Sequence, residues 1–274
     1  MAPPESAAKT SPTSIVVADN DDLILEAIGE LLRSKGYDVH LAHDGLEALQ
    51  VIRKVKPDYL ILDVVMPKLD GSRLCWMIRQ DPALRDMPII AFSSLSAQDF
   101  RHFPDLSADA YVAKGAIATA FQNILQAIAH LQAKGRTDIA GGIFGYDGSR
   151  PREVVAEMLM EIRHCANIIR ALGPGTMELD RDGHILRVNA GACEILGRNE
   201  TQLIGEPIAS FCPSRDQETL LHLLGELAKV VQPERCRATV RFADLEIPVQ
   251  LCAIIEDGIC TGVLLIMEST GVKL

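Results

Sequence analysis

The chain lacks paired cysteines: seven are scattered over 274 residues and none forms a C-x-x-C pair. Paired spacing is what a structural zinc site requires. The cysteines are therefore expected to be small buried apolar groups in a reducing compartment. No apolar stretch approaches the roughly 20 residues of a membrane span. The first residues, MAPPESAAKTSPTS, carry no apolar core of a secretory leader and read as a disordered tail. Positive charge is also short, with 27 Lys+Arg against 37 Asp+Glu and a net charge of −10. A sequence-independent grip on nucleic acid or on an anionic membrane needs basic patches that displace counterions. Neither direct nucleic-acid binding nor membrane association is expected, and the sequence predicts a soluble, cytoplasmic protein.

What is present is apolar and periodic. The chain is 48% hydrophobic, which excludes disorder throughout. Its length suits about two domains at roughly 100–200 residues each. From Ser14 to about Lys134, short β-branched runs alternate with helical patterns. SIVVAD, YDVHLA, DYLILD, MPIIAFS and DAYVA read as strands. Between the first two, Ile24, Ile28, Leu31 and Leu32 mark a helical face that Gly36 can end. Leu46, Leu49 and Ile52 mark the next helix, and a third runs from about Gly71 to Gln80. The last carries Ile117, Phe121, Ile124, Ile128 and Leu131. Strands that alternate with helices imply an α/β fold with a mainly parallel sheet, here of five strands, with helices on both faces.

The glycine-rich stretch 135–150 reads as a flexible linker. From Pro151 to about Gly173, Val155, Met158, Ile162, Cys165, Ile169 and Leu172 recur in steps of three and four. That pattern fits a connecting helix, either as a coiled-coil seam or packed on its own domain. From about Gly175 the order is a hairpin with Asp182-Gly183 at its turn, short helices, a longer helix over DQETLLHLLGELAKVV, and three strands. That order predicts an α+β domain with an antiparallel sheet over residues 174–270.

In a parallel sheet of this kind, ligands bind outside the C-terminal strand ends, where the strand order reverses. The first strand delivers Asp19, followed by Asn20, Asp21 and Asp22. The third delivers Asp63, the fourth Ser93 and Ser94, and the fifth Lys114. Carboxylates gathered in one crevice repel each other unless a hard divalent cation sits among them. Mg²⁺ suits a few carboxylates with waters left in place. A carboxylate so placed can attack a phosphoryl group, and a Ser hydroxyl and a Lys ammonium can bind the new phosphate oxygens.

On VVADND, LILDVVMPKLDG, PIIAFSS and DAYVAKG, residues 14–134 resemble a response-regulator receiver domain, with a flavodoxin-like fold. The resemblance implies that Asp63, first in D-x-x-M-P-x-x-D-G, is the phosphoacceptor. It implies Asp19, Asn20, Asp63 and the Val65 backbone carbonyl as the metal set. Ser93 and Lys114 would hold the phosphate, and Ser93 and Tyr111 would form the switch. A histidine kinase would be the phosphoryl donor. Four positions depart from the family pattern. Asn20 stands where the second acid is expected, Gly115 replaces the proline after the lysine, Ser107 replaces a common glycine, and Pro104 shortens the fourth helix.

ELDRDGHILRVNAGACEILGRNETQLIGEPIASF resembles a PAS domain, which implies a sensory or dimerising module with a small central cavity. His222 lies on the helix where haem-binding members carry a ligand, but a surface or core histidine is the plainer reading. The cysteine motif of flavin-binding light sensors is missing. The PAS ligand is thus unknown, with neither haem nor flavin expected. His164 sits on the connecting helix, with no nucleotide-binding domain after it to support a kinase. The whole reads as a phosphorelay response regulator that is not a dedicated enzyme. It would act through a downstream protein partner and as a homodimer. The alternative is a phosphorylation-independent scaffold or ligand sensor that acts through the PAS domain.

Overall fold

In the computed structural model, which describes residues 12–94, 106–134, 142–145, 167–242 and 245–268, the chain divides into two units, Met1–Ala156 and Glu157–Leu274. The expected tail lies outside the described residues up to position 11. So do a fourth helix near Pro104, most of the linker, and the connecting helix with His164 up to position 166. Residues 167–171 are helical.

The first unit is built on β1 (Ser14–Ala18), β2 (Asp38–Ala42), β3 (Tyr59–Leu62), β4 (Ile89–Ser93), β5 (Ala110–Ala113) and β6 (Ile143–Phe144). All pair in parallel in the order β2-β1-β3-β4-β5-β6. All four residues of β3 are buried, as expected of a central strand covered on both faces. The helices are α1 (Asp22–Ser34), α2 (Gly45–Val55), α3 (Gly71–Gln80) and α4 (Ile117–Lys134). On α1, the buried residues are Leu25, Ile28, Gly29 and Leu32, with Ile24 and Leu31 at the margin. On α4, Phe121, Ile124, Ile128 and Leu131 are buried, but Ile117, the first residue of the helix, is 36% exposed. Each such aliphatic side chain removed from water contributes about 1.5–3 kcal/mol.

The sheet has six strands where the periodicity predicts five. The extra one, β6, comes from the glycine-rich stretch read as a linker. A run of two apolar residues is too short to show alternation, so pattern alone passes over it.

The second unit is a five-stranded antiparallel sheet in the order β8-β7-β11-β10-β9. Its strands are β7 (Gly175–Asp180), β8 (Ile185–Val188), β9 (Arg235–Phe242), β10 (Leu245–Glu256) and β11 (Ile259–Met267). Between β8 and β9 lie α5 (Ala190–Leu196), α6 (Glu200–Leu203), a 3-10 turn at Ile208–Phe211, and α7 (Ser214–Leu227). The β7–β8 hairpin turns at Gly183, whose φ of 83° a side chain would resist. Leu220 and Leu224 of α7 pack with Met177, Leu179, Val240, Leu251 and Leu265 of the sheet. Strand β10 shows the alternation of a sheet with one face on the core.

Candidate functional site

Three aspartates near helix starts serve as caps. The Asp21 side chain accepts from the Leu23 and Ile24 amides at 3.0 and 3.2 Å, Asp44 from Glu47 at 2.8 Å, and Asp70 from Arg73 at 2.9 Å. Such caps satisfy amides that the helix itself cannot. Asp22 pairs with His43 at 2.9 Å on the surface. Asp19 and Asp63 do neither, and both are buried.

The strand order reverses at β1, which lies between β2 and β3. The β1–β3 register pairs Ala18 with Leu62, so the residues that follow, Asp19 and Asp63, emerge side by side. The β4–β5 register pairs Ser93 with Ala113, and the Lys114 amide donates to the Ser93 carbonyl at 2.9 Å. Lys114 then reaches across the strand ends. Its Nζ lies 2.7 Å from Asp19 Oδ2 and 2.7 Å from Asp63 Oδ2. It also stands 5.6 Å from the centre of the Phe92 ring. The register therefore brings Asp19, Asp63, Ser93 and Lys114 to one edge. Asn20 is exposed beside Asp19, and the Val65 amide donates to Asp63 Oδ1 at 3.3 Å.

The electrostatics are unbalanced toward negative. Burial pushes the Asp19 carboxyl above the usual carboxylate range, and the Asp63 charge adds to it. The Lys114 ammonium and the Asp21 amide pull the other way without cancelling it. Burial pulls Lys114 down, yet Asp63 and Asp19 outweigh that and leave it raised. Asp19 Oδ2 is buried without a well-formed hydrogen bond and is held by the ion pair alone. Two converging carboxylates around one cation leave hard oxygen donors and a negative balance. That donor set fits a hard divalent cation such as Mg²⁺.

The loop after Asp63 is held by close backbone approach. A Cβ at Gly71 would sit 2.3 Å from the Asp63 carbonyl oxygen, and one at Gly45 would sit 1.8 Å from that of Leu69. Lys68, at φ 61°, turns the loop so that its ammonium meets Asp44 at 2.7 Å. Asp70-Gly71 thus caps α3 and lets it start against the strand end that delivers Asp63.

Tyr111 of β5 is buried, and its hydroxyl donates to the Leu106 carbonyl at 3.0 Å. Burial pushes its phenol up to about 12. Sequence reasoning passes over what steadies this loop. Arg79, at the end of α3, donates to the carbonyls of Ser107, Arg85 and Met87 and pairs with Asp109 at 2.7 Å. A lone arginine on a helix carries no sequence signal for such a role.

In the second unit His222 is exposed on α7. Asp180, Asp182 and His184 bring potential ligand atoms within 4.8 Å of one another. Asp180 Oδ1, however, accepts from the Asp182 and His184 amides at 3.0 and 2.8 Å, so it braces the turn. Among the described residues, no helix is long and apolar enough to cross a membrane.

Residues 15–129 match the family model for the response regulator receiver domain, and residues 163–268 match that for the PAS fold. The response regulator MprA of Mycobacterium ulcerans (strain Agy99) is 40% identical over 101 residues, which are 36% of this chain and 43% of that protein. The chain thus spans less than half the length of the curated relatives it matches. A putative response regulator from Chloroflexus aurantiacus J-10-fl has 32% identity over 45% of this chain and 100% of its own, with a TM-score of 0.40. A Francisella response regulator 1452 receiver domain has 28% identity over 44% of this chain and 99% of its own, with a TM-score of 0.38. The chain thus carries a response regulator receiver domain over residues 15–129, followed by a PAS domain over residues 163–268.

Proposed function

We propose that the chain is a two-component response regulator that accepts a phosphoryl group on Asp63 from a partner histidine kinase. The observation that carries this reading is the Lys114 ammonium, 2.7 Å from both Asp63 and Asp19 at the reversal point of a parallel sheet. An Asp63 oxygen attacks phosphorus, the P–N bond of the phosphohistidine breaks, and the imidazole leaves with the electron pair. Lys114 and the Ser93 hydroxyl stabilise the charge on the transferred group. Asp19, Asn20, Asp63 and the Val65 carbonyl would hold Mg²⁺, which when bound supplies positive charge for phosphate oxygens. The phosphoryl group adds about −1.5 to −2 charges by analogy with phosphoserine, and Ser93 and Tyr111 convert that charge into a change of surface. The PAS domain gives output as a sensory or dimerising module through protein contacts with a downstream partner. The net charge of −10 supports output without direct nucleic-acid or membrane contact. The chain is not a dedicated enzyme in this reading.

The test is to incubate the protein with a small-molecule phosphodonor and Mg²⁺ and to read the intact mass. One phosphoryl group is expected on the native chain and none on Asp63→Asn. A native chain without it, or a variant that keeps it, overturns the reading. Asn20 favours a second reading, because an amide beside Asp19 lowers the charge that draws a metal. In that reading the chain is a phosphorylation-independent scaffold or ligand sensor acting through the PAS domain.

A further inference from the structure

Segment 142–145 occupies the outer edge of β5. The Tyr111 amide donates to the Gly142 carbonyl at 2.6 Å, and Tyr111 and Val112 register with Ile143 and Phe144. The Phe144 ring packs on the unit's core and meets the His130 ring of α4 edge-on at 6.0 Å. Glycines on either side permit the approach. A Cβ at Gly142 would lie 2.9 Å from the Asp109 carbonyl oxygen, and Gly145 adopts φ 78° beside Asn123. The seated stretch is short, and Ile143 remains 42% exposed. A strand edge presents unpaired backbone groups that another chain can pair with. A two-residue strand covers such an edge while remaining easy to displace.

We propose that residues 142–145 are a displaceable latch, an interaction surface on β5 and α4 filled in cis by the segment that leads to the PAS domain. The latch is coupled to the charged cluster through β5 itself. Lys114 directly follows that strand and is tethered to Asp63 and Asp19. Loosening the tether frees the end of β5, and Val112 and Tyr111 then hold β6 less firmly. The inference goes beyond the phosphoacceptor reading and stands without it, because it uses only the charge of Asp63.

The test is amide hydrogen exchange on the full chain, followed at Tyr111 and over 142–145, with β2 as the internal reference. Tyr111 is expected to be protected in the native chain. Phe144→Ala should speed its exchange about tenfold and leave β2 unchanged. Gly142→Val should do the same by backbone collision. Asp63→Asn should speed exchange at Tyr111 and over 142–145 about threefold, again without change in β2. An unprotected Tyr111 amide in the native chain overturns the latch. Equal exchange in the native chain and Asp63→Asn overturns its coupling to the site, whatever the intact-mass experiment finds.

Discussion

In the PAS domain, Asn189 is buried with its side-chain amide fully engaged. Its oxygen accepts from the Thr176 and Ala192 amides, and its nitrogen donates to the Leu172 and Pro174 carbonyls, all at 2.8–2.9 Å. In the receiver domain, Asp19 is equally buried, yet its Oδ2 rests on an ion pair with Lys114. Asn189 ties backbone to backbone and has no capacity left for a ligand. Asp19 and Asp63 share the single Lys114 ammonium, and Asp19 Oδ2 is left without a well-formed hydrogen bond. A buried polar group saturated by backbone is part of the scaffold. One held by other charges at strand ends marks a candidate site. Arg79 sharpens the contrast, since it lies in the receiver domain but is saturated like Asn189.

The contrast can be broken by removing one member at a time. Asn189→Leu leaves two amides and two carbonyls without their partner and should cost about 3–4 kcal/mol. Urea unfolding should show this in the PAS transition alone; a loss below about 1 kcal/mol would mean the network is dispensable. Lys114→Met leaves two carboxylates buried around no cation and should cost about 3 kcal/mol at neutral pH. Asp19 is already raised, and losing the ammonium raises it further. A raised acid favours the fold below its unfolded pKa, and that advantage is lost as pH rises. The deficit of the variant should therefore shrink toward pH 4, in unfolding curves measured across pH; a deficit independent of pH would show that Lys114 acts by packing.

Gly71→Ala places a methyl against the Asp63 carbonyl and should cost about 2 kcal/mol. It should also lower the yield of the phosphodonor reaction, and unchanged stability and yield together would show that the loop yields freely. The smallest expected effect is Tyr111→Phe, about 1 kcal/mol for the lost hydrogen bond. Tyr111 is raised from 10.0 to about 12, so its contribution is fully present below pH 10 and lost as pH rises through about 12. Lys114 is raised as well and adds loss in the same alkaline direction. Thermal melts of Tyr111→Phe should flatten between pH 10 and 12 relative to the native chain; parallel curves would show that the phenol does not titrate with the fold.

Much of this molecule was legible beforehand, and for identifiable reasons. A parallel strand buried on both faces reads as a continuous apolar run, and an abrupt Asp at its end marks where the run leaves the core. That made Asp19 and Asp63 visible, and DAYVAKG placed Lys114 after a strand in the same way. At 19–22 the resemblance singled out Asp19 and Asn20, but residue type alone did not assign Asp21 to the helix cap and Asp22 to the surface. Their roles follow from the direction in which α1 leaves β1. The two-residue strand β6 and the Arg79 clamp were invisible because neither has a period.

The chain's periodicity, glycine placement and strand-end residues determined by themselves the two domains, their sheet types and the sheet edge where Asp19, Asp63, Ser93 and Lys114 gather. Those properties depend on neighbours in sequence, and local propensity with burial is enough to write them. Only the tertiary structure decided that one ammonium holds two carboxylates, that Tyr111 is bound to Leu106, and that a glycine-framed piece of the linker closes the β5 edge. The ion pairs of Lys114 and the pairing of β5 with β6 join residues tens of positions apart, and even the five-residue reach from Tyr111 to Leu106 depends on loop geometry, which no local pattern encodes.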